Sequence, residues 1–348
     1  SGSTGKPKGV MLTHGNATSY VDWCGEVLAP SPSDRFSSHA PFHFDLSILD
    51  LYVPLATAAT VVLIDAEQGK EPLKLAALIA DRALTVWYST PTVLSLLSQF
   101  GKLEQYDFSS VRMVIFAGEV FPIKHLRAVK RHFPSARFFN LYGPTETNVC
   151  TYYEIPDTIP DDRTDPYPIG TVCSHFRARV IDEEERDVQR GELGELVVRG
   201  AGTMRGYWNL PERSALAFQT DAEGNAWYRT GDIVIEDSDG VFAYVGRRDR
   251  MVKRRGYRVE LGDIEAGLYR HPHVKEAAVV ALKDGDAGVT IRAFVCMADD
   301  YPRSVIEMKR FCAEVMPGYM VPDTFVFRNE LPRTSTDKTD YQQLLQLA

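Results

Sequence analysis

Apolar positions along the chain change their spacing from segment to segment, and the changes predict its elements. Residues 72–84 (PLKLAALIADRAL) place apolar side chains at helical intervals, whereas LTVWYS at 84–89 is a short continuous apolar run, as in a strand buried on both faces. The alternation continues with a helix in TVLSLLSQF, a strand in VRMVIFAG, an amphipathic helix in IKHLRAVKRHF and a strand in FFNLYG. Strands alternating with helices predict a parallel sheet covered on both faces. Ligands of such sheets bind beyond the carboxyl ends of the strands. The loops after VRMVIFAG and FFNLYG are therefore the first places to look for a site.

Residues 151–168, rich in Pro and Asp, read as a linker. From 169 to 248 short strands punctuated by Gly (ARVIDEE, GELVVRG, DIVIED, VFAYVG) predict a small β-barrel or distorted sheet. After Asp249 two helices (DIEAGLYRH, SVIEMKRFCAEV) alternate with three strands (EAAVVALK, IRAFVCM, TFVFRN). The fold expected is α/β in three parts: a partial, doubly covered parallel sheet over 1–165, a small β-barrel over 166–248 and an α+β unit over 249–348.

Of 348 residues, 39 are basic and 47 acidic, giving a net charge of −8. That balance argues against general affinity for nucleic acid or anionic membranes. No apolar run is long enough for a membrane-spanning helix, and no signal-peptide pattern opens the chain. Cys24, Cys150, Cys173, Cys296 and Cys312 are scattered singly, as expected of reduced residues in a cytoplasmic protein. The first residue falls inside a Gly/Ser/Thr loop with no strand before it, so we expect the sequence to be a fragment of a larger fold.

That opening loop, Ser1-Gly-Ser-Thr-Gly-Lys-Pro-Lys-Gly9, combines backbone N–H groups, hydroxyls and two lysines, a set suited to phosphate oxygens. It is no Walker A loop, because Pro follows Lys6. Asn140-Leu-Tyr-Gly-Pro-Thr-Glu-Thr147 follows a buried strand: Tyr142 offers a flat face for a nucleobase, Gly143-Pro144 turns the chain, and Glu146 is a hard oxygen ligand for magnesium. Tyr228-Arg-Thr-Gly-Asp232 ends in a carboxylate able to bind two ribose hydroxyls. The stretch from Gly246 to Glu260 is basic, bounded by glycines and hinge-like.

These four segments, in this order, resemble the signature motifs of the adenylate-forming superfamily of acyl-CoA synthetases, luciferases and nonribosomal-peptide adenylation domains. Gly191–Gly200, Met316–Pro322 and Leu331–Lys338 match as well, so the resemblance covers essentially the whole chain. It implies that Ser3, Thr4, Gly5 and Lys8 contact the ATP phosphates, and that Tyr142 stacks on adenine in a cleft lined by Gly118, Glu119, Asn140 and Gly143. It further implies that Thr145 and Glu146 serve phosphate and Mg2+, with Asp232 and Arg247 on the ribose. Asp249 becomes the hinge of a mobile C-terminal lid, and Lys338 the lysine bridging substrate carboxylate and reacting phosphate. Asp337 departs from the family pattern, which has Gly before this lysine.

The segment His43-Phe-Asp-Leu-Ser-Ile-Leu-Asp-Leu51 sets acidic residues in an apolar stretch. Asp45 either caps a helix beginning at Leu46 or, as in amino-acid-activating relatives, pairs with the substrate ammonium. The resemblance aligns Asp45, Leu46, Leu49, Tyr88, Ile115, Ala117, Leu141, Val149 and Cys150 as the side-chain pocket. A charged substrate side chain would be unpaired there. The set is similar to that of free-standing L-proline-activating enzymes, which load a carrier protein. The expected activity is activation of an amino acid, foremost L-proline, as aminoacyl-AMP, then transfer to the phosphopantetheine thiol of a carrier protein supplied in trans. A D-alanine or other small amino-acid carrier ligase, an acyl-CoA synthetase and a non-catalytic interaction fragment are the alternatives. Tyr207-Trp208 reads as packing, and His271 and His273 as a solvated helix end.

Overall fold

Arg35–Ser38 (β1), Thr60–Leu63 (β2), Val86–Ser89 (β3), Met113–Ala117 (β4) and Arg137–Tyr142 (β5) run parallel in the order β2–β1–β3–β4–β5. Thr151–Ile155 (β6) and Thr171–Val172 (β7) extend this sheet antiparallel, so it is mixed and not purely parallel. The computed structural model describes residues 8–254, 257–284, 288–299 and 301–348. They form two compact units: the first runs to Thr230 and includes Ile235–Ala243, while the second takes Gly231–Val234 and Tyr244–Ala348.

Helices His14–Leu28 (α1), Ser47–Ala56 (α2), Pro72–Asp81 (α3), Pro91–Phe100 (α4) and Ile123–Lys130 (α5) accompany the seven strands. The period-2 alternation of side chains along a strand divides the sheet's residues between two faces. Trp87, Val114, Phe116 and Phe138 join Leu75 and Ile79 of α3, Leu94 and Leu97 of α4, and Leu126 and Val129 of α5 in one core. Tyr88, Ile115, Ala117 and Leu141 point to the opposite face. Strand β6 lies where the Pro- and Asp-rich composition suggested a linker: its Tyr152 and Thr151 pair with Leu141 and Tyr142 of β5, and that tertiary pairing overrides the local signal.

The region of short strands, expected as a small β-barrel or distorted sheet, forms a five-stranded sheet. Its strands are Phe176–Ile181 (β8), Leu193–Gly200 (β9), Phe218–Thr220 (β10), Ala226–Glu236 (β11) and Phe242–Arg247 (β12), in the order β10–β11–β9–β8 with β12 paired to β11. Pro211–Leu216 is a short helix, α6.

In the second unit Met251–Arg254 (β13) and Tyr257–Glu260 (β14) make an antiparallel pair. Val274–Asp284 (β15), Gly288–Met297 (β16) and Thr324–Arg328 (β17) form a three-stranded sheet. Alternate residues again serve two faces. Val279, Ile291 and Val295 pack with Ile264 and Leu268 of helix Leu261–Tyr269 (α7) and with Met308 and Cys312 of helix Val305–Val315 (α8). Ala278, Val280 and Phe294 pack on Leu331 and Leu344, the latter from helix Tyr341–Gln346 (α9). His271 is not the solvated helix end expected: it is 5% exposed and set edge-on to Phe311, with ring centroids 4.7 Å apart.

Candidate adenylate-forming site

Register brings the side-chain pocket together. Tyr88 pairs with Ile115 across β3 and β4, and Ala117 with Leu141 across β4 and β5, so all four share the face opposite α3–α5. Val149 and Cys150 reach this region through the turn after β5, where Cys150 N donates to Tyr142 O at 2.8 Å. Gly143 is required in that turn: a Cβ there would sit 2.1 Å from the carbonyl oxygen of Asn148. Leu46, Leu49, Tyr88, Ile115, Ala117, Leu141, Val149 and Cys150 are all buried.

Asp45 lies in the turn that leads into α2. The N-cap position of that helix is Leu46, with no side-chain cap bond, so Asp45 is not its cap. The main chain at Asp45 is tied to the opposite turn, where Asn148 Nδ2 donates to Asp45 O at 3.5 Å. Burial first, then the carboxylates of Asp45 and Asp50, push the Tyr88 hydroxyl well above its ordinary range.

Asp50 was not singled out from the sequence, although it lies five residues past Asp45. It is fully buried; Oδ2 accepts from Ala40 N at 3.3 Å, and Oδ1 has no hydrogen-bond partner among the described residues. Desolvation holds its carboxyl well above the usual carboxylate range, and backbone hydrogen bonds from Ala40 and His39 offset this only in part. Through Ala40 N, Asp50 thus braces the start of the segment that carries Asp45.

The second group surrounds Glu146. This residue is 3% exposed and its carboxylate accepts from the Tyr207 hydroxyl at 2.7 Å, while Lys8 Nζ donates to the same hydroxyl at 3.3 Å. Lys8 also lies 4.4 Å from the Tyr207 ring centroid. Tyr207 is therefore more than packing. Main-chain bonds bring it there: Met11 N donates to Gly206 O at 2.9 Å and Trp208 N to Gly9 O at 2.8 Å. Ser3, Thr4 and Gly5 lie outside the described residues.

Other predicted residues have structural partners as well. Glu119 Oε2 accepts from Thr92 N at 3.2 Å, in the first turn of α4, and follows Gly118, whose φ is +94°. Asn140 Nδ2 donates to Pro168 O at 2.9 Å. Tyr142, at the end of β5, and Thr145, in the turn after it, are half-buried.

In the second unit Asp232 is 4% exposed and accepts from Arg247 Nη1 at 3.2 Å. Gly231, with φ +73°, keeps this approach open, since a Cβ there would lie 3.1 Å from Arg247 Nη2. Asp249 falls in the single 3-10 turn Arg248–Arg250. Lys338 sits in a tight turn bounded by the bridge between Arg333 and Thr339; Thr334 N donates to Lys338 O at 2.8 Å, and Lys338 N to Thr334 Oγ1 at 3.2 Å. Asp337, just before it, has φ +59°. That left-handed conformation is the physical reason for glycine at this place in the family pattern, and Asp tolerates it better than most residues.

Among the described residues no helix is long and apolar enough to cross a membrane. The family model described as AMP-binding enzyme matches residues 1–208, and the one described as AMP-binding enzyme C-terminal domain matches residues 263–338. Curated relatives include the L-proline–[L-prolyl-carrier protein] ligases of Pseudomonas fluorescens (42% identical over 98% of this chain and 66% of that one) and Streptomyces coelicolor (41% over 99% and 64%). The D-alanine–D-alanyl carrier protein ligase of Lactiplantibacillus plantarum is 34% identical over 99% of this chain and 69% of that one. The chain thus spans about two thirds of the length of these relatives.

Among solved structures, a four-domain nonribosomal peptide synthetase bound to AMP and glycine superposes with a TM-score of 0.85 at 26% identity, over 97% of this chain and 25% of that one. An anthranilate CoA ligase in complex with anthranoyl-AMP gives 0.86 at 26% identity, over 100% and 66%. With a family model matching residues 1–208 of 348, this chain belongs to the AMP-binding enzyme family.

Proposed function

We propose that this chain is the greater part of an ATP-dependent amino acid–carrier protein ligase, with L-proline as its amino acid. The observation that carries the reading is a buried apolar lining (Leu49, Tyr88, Ile115, Ala117, Leu141, Val149, Cys150) beside one turn bearing Asp45. Such a lining suits a compact apolar side chain, and a carboxylate at its edge suits the α-ammonium. The two relatives at 42% and 41% identity, named as L-proline–[L-prolyl-carrier protein] ligases, support the same choice.

In the first step an oxygen of the amino-acid carboxylate bonds to the α-phosphorus of ATP, the bond from that phosphorus to the bridging oxygen breaks, and pyrophosphate leaves. Lys8 serves the phosphates and Lys338 offsets charge that develops as two anions meet. Asp232 and Arg247 hold the ribose, and Tyr142 stacks on the adenine. Mg2+ fits Glu146, because this ion binds through one or two carboxylates together with waters and substrate phosphates. When bound it neutralises phosphate charge. In the second step a phosphopantetheine sulfur attacks the acyl carbon and AMP leaves, after rotation about Asp249. We keep the three-part division at 166 and 249 for this cycle: core, β subdomain and lid. A cytoplasmic location accords with the five buried, free cysteines.

The test is amino-acid-dependent ATP–pyrophosphate exchange by the full-length natural protein with L-proline, D-alanine, L-pipecolate, L-valine and benzoate. Exchange led by L-proline is the expected result. Exchange led by D-alanine would favour the reading suggested by the Lactiplantibacillus plantarum relative. Silence with all five would overturn the activity.

A further inference from the structure

Glu265, on α7, gathers three donors on one oxygen. Oε1 accepts from Arg250 Nη2 at 2.7 Å, from Val279 N at 2.7 Å and from the Tyr341 hydroxyl at 3.0 Å. Arg250 Nη2 also donates to Val279 O at 3.1 Å, and its guanidinium carbon stands 3.9 Å from the centroid of the Tyr341 ring. One cluster therefore joins the 3-10 turn Arg248–Arg250, helix α7, strand β15 and the first residue of α9.

Its two ends carry residues assigned to the reaction. Arg250 directly follows Asp249, and Tyr341 stands three residues after Lys338. The chain between Lys338 and Tyr341 has little slack: Asp340 N donates to Pro332 O at 2.8 Å, and Asp340 caps α9 by accepting from Gln343 N at 2.9 Å. An ion pair with side chains 25% and 13% exposed is a poor source of stability, since apolar residues of the same volume commonly do as well. What it does supply is one fixed geometry.

We propose that Arg250, Glu265 and Tyr341 are positioning residues that tie the Lys338 turn to the turn carrying Asp249, so that pivot and lysine keep a single relative placement. The proposal rests on the roles given above to Asp249 and Lys338. None of the three touches substrate; they act through Lys338. The cluster also couples places far apart in sequence, so a change at Arg250 should be felt at the Lys338 turn.

The experiment uses the full-length protein with Tyr341→Phe, Arg250→Met and the double variant, all read by exchange kinetics, thermal unfolding and amide hydrogen exchange. Tyr341→Phe keeps the ring under the guanidinium and removes one hydrogen bond to a charged group, so we expect the exchange kcat to fall about tenfold with KM for ATP and amino acid within about twofold. The double variant should lose no more than the worse single one, as expected of residues acting through one unit. Amide exchange at Thr334 and Lys338 should quicken in Arg250→Met. That last readout does not depend on catalysis. An inactive wild type would overturn the functional reading. An active wild type with additive losses, or with unchanged exchange at Thr334 and Lys338 in Arg250→Met, would overturn the positioning role.

Discussion

The Tyr207 hydroxyl donates to Glu146 at 2.7 Å and accepts from Lys8 at 3.3 Å, so one phenol stands between a buried carboxylate and a lysine of the opening loop. Tyr207 lies 61 residues from Glu146 and 199 from Lys8. Under the proposed function, in which Glu146 meets Mg2+ and Lys8 the phosphates, this phenol would orient both groups.

Tyr207→Phe should therefore weaken handling of Mg2+ and ATP while sparing the amino acid. Losing a hydrogen bond to a charged group costs about 1.5–3 kcal/mol, or roughly ten- to a hundredfold in kcat/KM for ATP. Magnesium titration of the exchange reaction should shift to higher concentration. Equal losses for ATP and amino acid would assign Tyr207 to packing alone.

Asp45 and Asp50 lie five residues apart and should respond differently to replacement by Asn. Asp45→Asn removes the proposed partner of the α-ammonium and should raise KM for L-proline about a hundredfold, with KM for ATP little changed. Asp50→Asn replaces a carboxyl whose burial favours the protonated form by an amide of the same shape, and KM for L-proline should stay within about threefold. Steady-state exchange kinetics decide between them. A large KM rise in Asp50→Asn would mean that its charge is used.

Much of the fold was legible wherever one signal dominated. The runs that became β3, β4 and β5 are apolar and short, and the alternating helices show 3.6-residue spacing, so the parallel core follows from pattern alone. Strand β6 hides beside Pro- and Asp-rich sequence, because its reason to exist is the edge of β5. In the site, the motif residues cluster along the chain and could be found there. Tyr207 and Asp50 could not: one gains its role from a partner 61 residues away, the other from burial. The one trace Asp50 left in the sequence is an acid in an apolar stretch, which does not by itself say what the acid meets.

The buried Asp50 also sets a pH dependence of stability. In the unfolded chain its carboxyl titrates near 4, whereas in the folded chain its pKa lies well above this. Between the two values the folded state holds a proton that the unfolded state has released. This contribution to stability is therefore complete below about pH 4 and is lost as pH rises through the folded value. Asp50→Asn removes that dependence. The difference in Tm, variant minus wild type, should grow more positive between pH 5 and pH 8, and scanning calorimetry at fixed ionic strength measures it. A flat or falling difference would show that Asp50 is ionised in the fold.

The turn around Lys338 allows conformation and charge to be separated. Lys338→Ala should cut exchange by about a hundredfold or more with KM for ATP within about threefold, as expected for a contact made mainly in the transition state. Asp337 holds φ +59°. Asp337→Gly should keep the turn, relieve strain of up to about 1 kcal/mol and remove a carboxylate beside the lysine, so kcat should be unchanged or rise slightly. Asp337→Ala removes the same carboxylate but puts a side chain with no local hydrogen bond into the left-handed region, so kcat should fall as the turn loosens. If the Ala and Gly variants depart from wild type alike, the charge of Asp337 matters and its backbone angle does not; if neither departs, neither property places Lys338. If only Ala loses activity, the angle places Lys338, and the aspartate serves as a tolerated substitute for glycine.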